Sequence, residues 1–512
     1  MTAEPWSRHL PPGVGSVALG GPGVTVPSVL AQRWSADPAR PTLFEAGAPG
    51  GWCAAGELEA RSAAAAARLA SFGLGAGDRM VWSSGPTVAG VVAALAGLRL
   101  GAVLVPVNPV GTERELQQVV TDVRPAVAVV ERPEQARWVT GTPTATLSPD
   151  LDPWPGGAHP AGGDGPAALD TAAPGDPALI VFTSGTTGVP KGAVLSHANV
   201  VAGARSLQAA WRWEPEDRLV HALPLCHVHG LCVGLLGTLA AGASAVLLPR
   251  FDATSVLEAA SDHRASLFFG VPTMYHRLVG TAGVSALGRL RLCVSGSASL
   301  PVPLAEQFAE RTGVAILERY GMTETLLTYS NPVDGERRPG TVGFALPGVR
   351  GRLGGPGDDA ELWVRAPTVF DGYWERPAAT AECFEDGWFR TGDLGRLDGD
   401  GYLAIMGRRR DLIISGGYNV YPAEVEDVLL AHPAVAEVAV TGTPSAEWGE
   451  TVTAWVVPAQ GAPDVDALLA FCAEQLAPYK RPRRVHVVDA LPRNAMGKVV
   501  RAELGKGPGP RR

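Results

Sequence analysis

The chain has few cysteines, few charges and no address signal, and each shortage removes a class of protein. Its six cysteines among 512 residues, Cys53, Cys226, Cys232, Cys293, Cys383 and Cys472, lie scattered without a CxxC pair, which excludes a disulfide framework and a structural zinc and fits reduced thiols. Charged residues make up only 18% and the net charge of -8 is spread thinly, so the basic footprint of a nucleic-acid binder is missing. The opening MTAEPWSRHLPPGVG lacks the basic-then-apolar pattern of a secretory signal and the closing GKGPGPRR carries no lipidation box. A cytoplasmic protein without membrane or nucleic-acid partners is therefore expected. Residues 230 to 249 are uncharged and long enough to span a bilayer, but Gly237, Gly242 and Ser244 interrupt them. A buried helix followed by a strand is the expectation, because doubly covered α/β cores produce continuous apolar runs.

What is present is length and alternation. A chain of 512 residues exceeds what one core organises, so two or more domains are expected. From about residue 55, ELEARSAAAAARLASF reads as helix, RMVWSS as strand, VAGVVAALAGLRLG as helix and AVLVPV as strand, the signature of an α/β fold with a sheet covered by helices. Residues 134 to 177, rich in Pro, Gly, Ala and Asp, read as a surface connection. After Gly407 comes a charged knot, Arg408, Arg409, Arg410 and Asp411. Beyond it, a helix from about Pro422 to Ala431 and strands near 435 to 442 and 450 to 457 predict a compact α+β unit. The boundaries are accordingly 1–407 for a large N-terminal domain, 408–410 for a hinge and 411–512 for a small C-terminal domain.

Four segments carry candidate chemistry. In ALIVFTSGTTGVPKGAVLSH, residues 178 to 197, a loop of Thr183, Ser184, Gly185, Thr186, Thr187 and Gly188 separates two apolar strands and ends near Lys191. Hydroxyls, free backbone N–H groups and a lysine suit a polyphosphate. The Walker pattern GxxxxGK[ST] is absent, and a strand rather than a helix follows. By residue type alone, ERYGMTET (318 to 325) is equally a loop capped by Thr323 or Thr325. Asp393 in GWFRTGDLG is equally a turn cap, and Lys498 in LPRNAMGKVVR is equally a solvated lysine. Outside these four, the Gly416–Gly417 pair in ISGGYNVYPAEVE is equally an ordinary turn.

Together, in this order and spacing, the four resemble the motifs of the adenylate-forming superfamily of acyl-CoA synthetases, adenylation domains and luciferases, over residues 25 to 503. The resemblance implies that Thr183, Ser184, Gly185, Thr186, Thr187 and Lys191 orient the ATP phosphates. It places Tyr320 and Gly321 against adenine, Thr323 near the α-phosphate, and Glu324 on magnesium. Asp393 and Arg408 would hold the ribose, Arg410 would be the hinge residue, and Lys498 would stabilise charge as the acyl-AMP forms. Gly416 and Gly417 would line a pantetheine tunnel in a mobile C-terminal domain. The implied reaction joins a carboxylic acid to coenzyme A through acyl-AMP, with ATP and magnesium. A carrier-protein thiol or an amine is the alternative acceptor. LPLCHVHGL, GVPTMYHRL and RLCVSGSASLP resemble malonyl-CoA and methylmalonyl-CoA synthetases. A dicarboxylate needs a cation for its second carboxylate, and Arg291 is the expected one, helped by His229 and Ser297. Arg319 marks the same subfamily, and Tyr329 departs from it and is expected to narrow the pocket or to admit another small or aromatic acid.

Overall fold

The computed structural model describes residues 5–10, 16–139, 141–148, 151, 168–183, 190–354, 360–415, 417–445, 447–493 and 499–505. The expected alternation forms a seven-stranded sheet. Its middle strands Pro177–Thr183, Val103–Val107, Arg79–Ser83 and Val127–Val130 lie side by side, and Lys191–Ser196 and Gly372–Tyr373 extend one edge. Helix Val88–Arg99 is buried along nearly its whole length. That burial explains why its sequence is apolar on every face rather than on one stripe.

A nine-stranded sheet stands beside the first. At its centre Ser244–Leu247, Arg218–His221, Leu267–Gly270, Leu292–Ser295 and Ile316–Met322 run parallel, and Leu326–Ser330 turns back antiparallel on the last of them. Parallel strands of this kind present ligand sites beyond their carboxyl ends. An antiparallel sheet, Arg350–Gly354, Ala360–Arg365, Trp388–Leu397 and Phe384–Glu385 with Leu403–Arg408 added, completes the larger part.

From Ile413 onward the strands pair only among themselves, among the described residues. Ile413–Ser415, Tyr418–Val420, Val435–Ser445, Gly449–Pro458 and Arg484–Val487 form one sheet. Helices Pro422–Leu430 and Val465–Gln475 belong to a separate core containing Val425, Leu429, Val440, Val452, Leu468 and Cys472. The α/β class with a smaller C-terminal domain is as expected from the sequence.

One local reading changes and another holds. Residues 134 to 177 are not wholly a connection, since Pro133–Trp138 is helical and Thr144–Thr146 pairs in parallel with Val127–Val130. An edge strand of three residues is too short to show periodicity in a Pro- and Gly-rich stretch. The uncharged run at 230 is the expected buried helix followed by a strand, the helix beginning as a wide π-type turn His229–Leu236, continuing as α-helix Gly237–Ala241 and leading to strand Ser244–Leu247. Its glycines let it seat tightly, for a Cβ on Gly230 would lie 2.1 Å from the Pro224 carbonyl oxygen and one on Gly234 would lie 2.6 Å from the His221 ring. Among the described residues no helix is long and apolar enough to cross a membrane.

Candidate active site

The phosphate-loop segment is held at both ends by a hairpin. Thr183 and Lys191 face each other across the two strands, and the Thr183 hydroxyl donates to the Lys191 carbonyl at 3.3 Å. Ser184, Gly185, Thr186 and Thr187 lie outside the described residues. On the other side of the Lys191 strand, Tyr373 pairs with Ala193. The Lys191 ammonium stands 5.3 Å from the centre of the Tyr373 ring, within cation–π range. The Tyr373 hydroxyl donates to Glu324 Oε1 at 2.8 Å. Tyr373 thus joins the loop lysine to the candidate magnesium ligand. Nothing in the sequence marks it beyond an aromatic following Gly372, whose φ of +142° is a backbone state that favours glycine.

Glu324 is buried, and burial pushes its carboxyl up. A cation beside it would relieve that cost, and magnesium is suited to one or two carboxylates plus phosphate oxygens. The donor set therefore fits the ion.

The ribose candidates come together on adjacent strands. Asp393 and Arg408 are opposite each other, with Arg408 Nε 2.9 Å from Asp393 Oδ1. The Tyr320 hydroxyl donates to Asp393 Oδ2 at 2.5 Å. Burial and the facing carboxylate keep this phenol protonated. Gly321 is required by close backbone approach, since a Cβ there would lie 1.9 Å from the Leu326 carbonyl oxygen. Thr323 is half-buried in the turn that follows.

The acid candidates divide. Ser297 Oγ and His229 Nδ1 are 3.2 Å apart, beyond the carboxyl end of strand Leu292–Ser295. Burial first, then nearby Arg319, holds the His229 imidazole well below its usual pKa and so neutral. Ser297 sits at φ +70°, a strained state for a serine of the sort found at functional sites.

Arg291 is a correction. It precedes the amino end of that same strand, where its Nε donates to Asp217 Oδ1 at 2.7 Å and its Nη2 pairs with Asp217 Oδ2. Its remaining bonds go to the carbonyls of Trp211 and Arg212 at 3.1 and 3.0 Å. Its donors are spent on the scaffold, at the end of the sheet opposite to Ser297.

Arg319 is the cation beside His229. It is buried, and a Cβ on Gly296 would lie 2.3 Å from its Cζ. Its Nε and Nη2 have no hydrogen-bond partner among the described residues. Burial lowers its pKa to about 9, which leaves the guanidinium charged at neutral pH. Tyr329 does not narrow this side. It is paired with Tyr320 rather than with Arg319, and a Cβ on Gly351 would lie 1.7 Å from its hydroxyl.

In the C-terminal part, Gly417 has φ +81° and a Cβ there would meet nothing within 4 Å. The left-handed backbone by itself calls for glycine here, and the space beside it is open to protein atoms. Gly416 and Lys498 lie outside the described residues. Arg410, in the short turn Arg409–Asp411, pairs with Asp411 at 3.5 Å.

A family model described as AMP-binding enzyme matches residues 30–374, and one described as AMP-binding enzyme C-terminal domain matches residues 424–498. The chain belongs to the AMP-binding enzyme family. Within that family its relatives include acid–thiol ligases that form AMP. It is 40% identical over 368 residues to a malonate–CoA ligase of Arabidopsis thaliana, covering 65% of this chain and 60% of that protein. It is 36% identical over 460 residues to a feruloyl-CoA synthase of an Amycolatopsis species, covering 88% of this chain and 92% of the relative. The crystal structure of ATP-bound MatB from Rhodopseudomonas palustris is 40% identical with a TM-score of 0.85, covering 93% of this chain and 97% of that one. The chain spans about 60% of the length of the first curated relatives it matches.

Proposed function

We propose that this AMP-binding enzyme activates a short dicarboxylic acid, malonate or methylmalonate, as its acyl-AMP and transfers the acyl group to coenzyme A. The observation that carries the substrate reading is the buried Arg319, charged and with two nitrogens unpartnered among the described residues, beside His229 and Ser297. A buried cation is costly when its charge partner, here Glu318, is itself pushed toward neutrality by burial and leaves it short of negative charge. A second substrate carboxylate would supply that charge, whereas a ferulate-like or fatty acid would not. The malonate–CoA ligase among the relatives supports the same choice.

In the first half-reaction a substrate carboxylate oxygen attacks the α-phosphorus of ATP, the bond to the bridging oxygen breaks, and pyrophosphate leaves. Lys191 and Lys498 offset phosphate charge that would repel the incoming anion. Magnesium, held at Glu324, supplies further neutralisation when bound. Asp393 and Arg408 fix the ribose, and the phosphate loop with its hydroxyls at 183, 184, 186 and 187 orients the chain of phosphates. In the second half-reaction a thiol attacks the acyl carbon and AMP leaves with its phosphate oxygen. The change of sheet partners between Arg408 and Ile413 supports a hinge at 408–410 with Arg410 in it, about which residues 411–512 would turn between the two steps.

The test is AMP release from purified protein with ATP, magnesium and a panel of acids, with and without coenzyme A. Malonate or methylmalonate should be turned over best, and only with coenzyme A present. Preference for an aromatic or long-chain acid would overturn the substrate, and AMP release indifferent to coenzyme A would overturn the acceptor.

A further inference from the structure

Glu318 is a buried carboxyl group that the reaction above does not use. It precedes Arg319 on strand Ile316–Met322 and is 6% exposed. Its Oε1 accepts the amide of Leu300 at 2.9 Å, while Oε2 has no partner among the described residues. Burial pushes its pKa up to about 8. Burying a carboxyl is expensive, and here its side chain is spent on the backbone of the turn that carries Gly296 and Ser297.

The middle of that turn lies at the surface. Ser297, Ala298 and Ser299 are exposed, Ser297 is in the left-handed region, and Gly296 presses flat on the Arg319 guanidinium. Among the described residues two side-chain hydrogen bonds reach it, Ser297 with His229 and the Leu300 amide to Glu318, and the Leu300 side chain packs into the core behind. Strand Ile316–Met322 is itself anchored at this point, because the Asn331 amide nitrogen donates to the Glu318 carbonyl at 3.0 Å. The carboxyl therefore stands on a fixed strand and reaches across to a strained turn.

We infer that Glu318 is the positioning residue of the acid subsite, clamping the 296–300 turn over Arg319 so that Ser297 and His229 meet the substrate's distal carboxylate. The inference rests on the dicarboxylate reading of that subsite, and acts through Ser297 and Arg319 rather than by touching the acid. Glutamine can keep the acceptor oxygen for the Leu300 amide, with its NH₂ in place of Oε2. Methionine matches the length and removes the acceptor.

The experiment measures KM for the best acid of the panel, KM for ATP, and Tm on the full chain carrying Glu318→Met, Glu318→Gln or Arg319→Met. Because KM does not depend on the fraction of enzyme that folds, it separates positioning from stability. Glu318→Met should raise the acid KM about tenfold, the scale of one buried amide left unpaired, with the ATP KM within about twofold. Glu318→Gln should restore it. An unchanged acid KM in Glu318→Met, a parallel rise in both KM values, or a Gln variant as impaired as Met would overturn the inference. If Arg319→Met leaves the acid KM unchanged, the dicarboxylate reading itself falls. If it raises the acid KM and Glu318→Met does not, only the positioning role falls.

Discussion

Replacing Arg291 with alanine should damage the scaffold and spare the chemistry. Arg291 makes a two-point ion pair with Asp217 and bonds to two carbonyls. Its side chain is 34% exposed, against 6% for Asp217. Removing one partner of a fully buried pair costs about 3–5 kcal/mol, and the water on the arginine side reduces that toward about 3 kcal/mol. Asp217 keeps its bonds from the Ser266 hydroxyl and the Glu214 amide, which limits the loss. A unit the size of the matched segment 30–374 unfolds with an entropy of about 0.7 kcal/mol per kelvin, so Tm should fall by about 4 °C. Burial alone would raise the Asp217 pKa, but the bonds from Arg291, Glu214 and Ser266 outweigh it and leave it below the usual value. A depressed folded-state pKa stabilises above the unfolded pKa and ceases to do so as pH falls through the folded one. The gap in Tm between wild type and Arg291→Ala should therefore be full at pH 7 and narrow below about pH 4. The assay is Tm across pH together with KM for the acid at pH 7. A normal Tm with an acid KM raised tenfold or more would refute the reasoning and return Arg291 to the substrate.

Tyr373→Phe removes the hydroxyl donated to Glu324 while keeping the ring beneath Lys191, so the magnesium concentration needed for half-maximal pyrophosphate exchange should rise by about three- to tenfold, and unchanged magnesium dependence would count against the link. Lys498→Ala should nearly abolish acyl-AMP formation while supplied acyl-AMP still reacts with coenzyme A, and equal loss in both half-reactions would contradict a role confined to the first. Gly417→Leu meets no atoms in the present arrangement, so pyrophosphate exchange should persist while thioester release is lost. A normal thioester rate would mean the pantetheine passes elsewhere.

Sequence alone was enough for the chemistry that depends on consecutive residues. The family was legible without coordinates, since TSGTTGVPKG is a run of consecutive residues and the AMP-binding enzyme match covers it. The α/β alternation from residue 55 was equally legible, because the 3.6-residue and 2-residue periods leave a local trace. Which arginine the scaffold consumes was not. Arg291 precedes one strand and Arg319 lies within another of the same sheet, and only the tertiary structure shows that Arg291 sits at the amino end, consumed by Asp217, while Arg319 is buried against Gly296 with two nitrogens unpartnered among the described residues. Tyr373 and Glu318 escaped for the same reason, since their partners Lys191, Glu324 and Leu300 are brought to them by sheet pairing and turns. A hydrogen bond between residues distant in the chain leaves no period in the sequence to find.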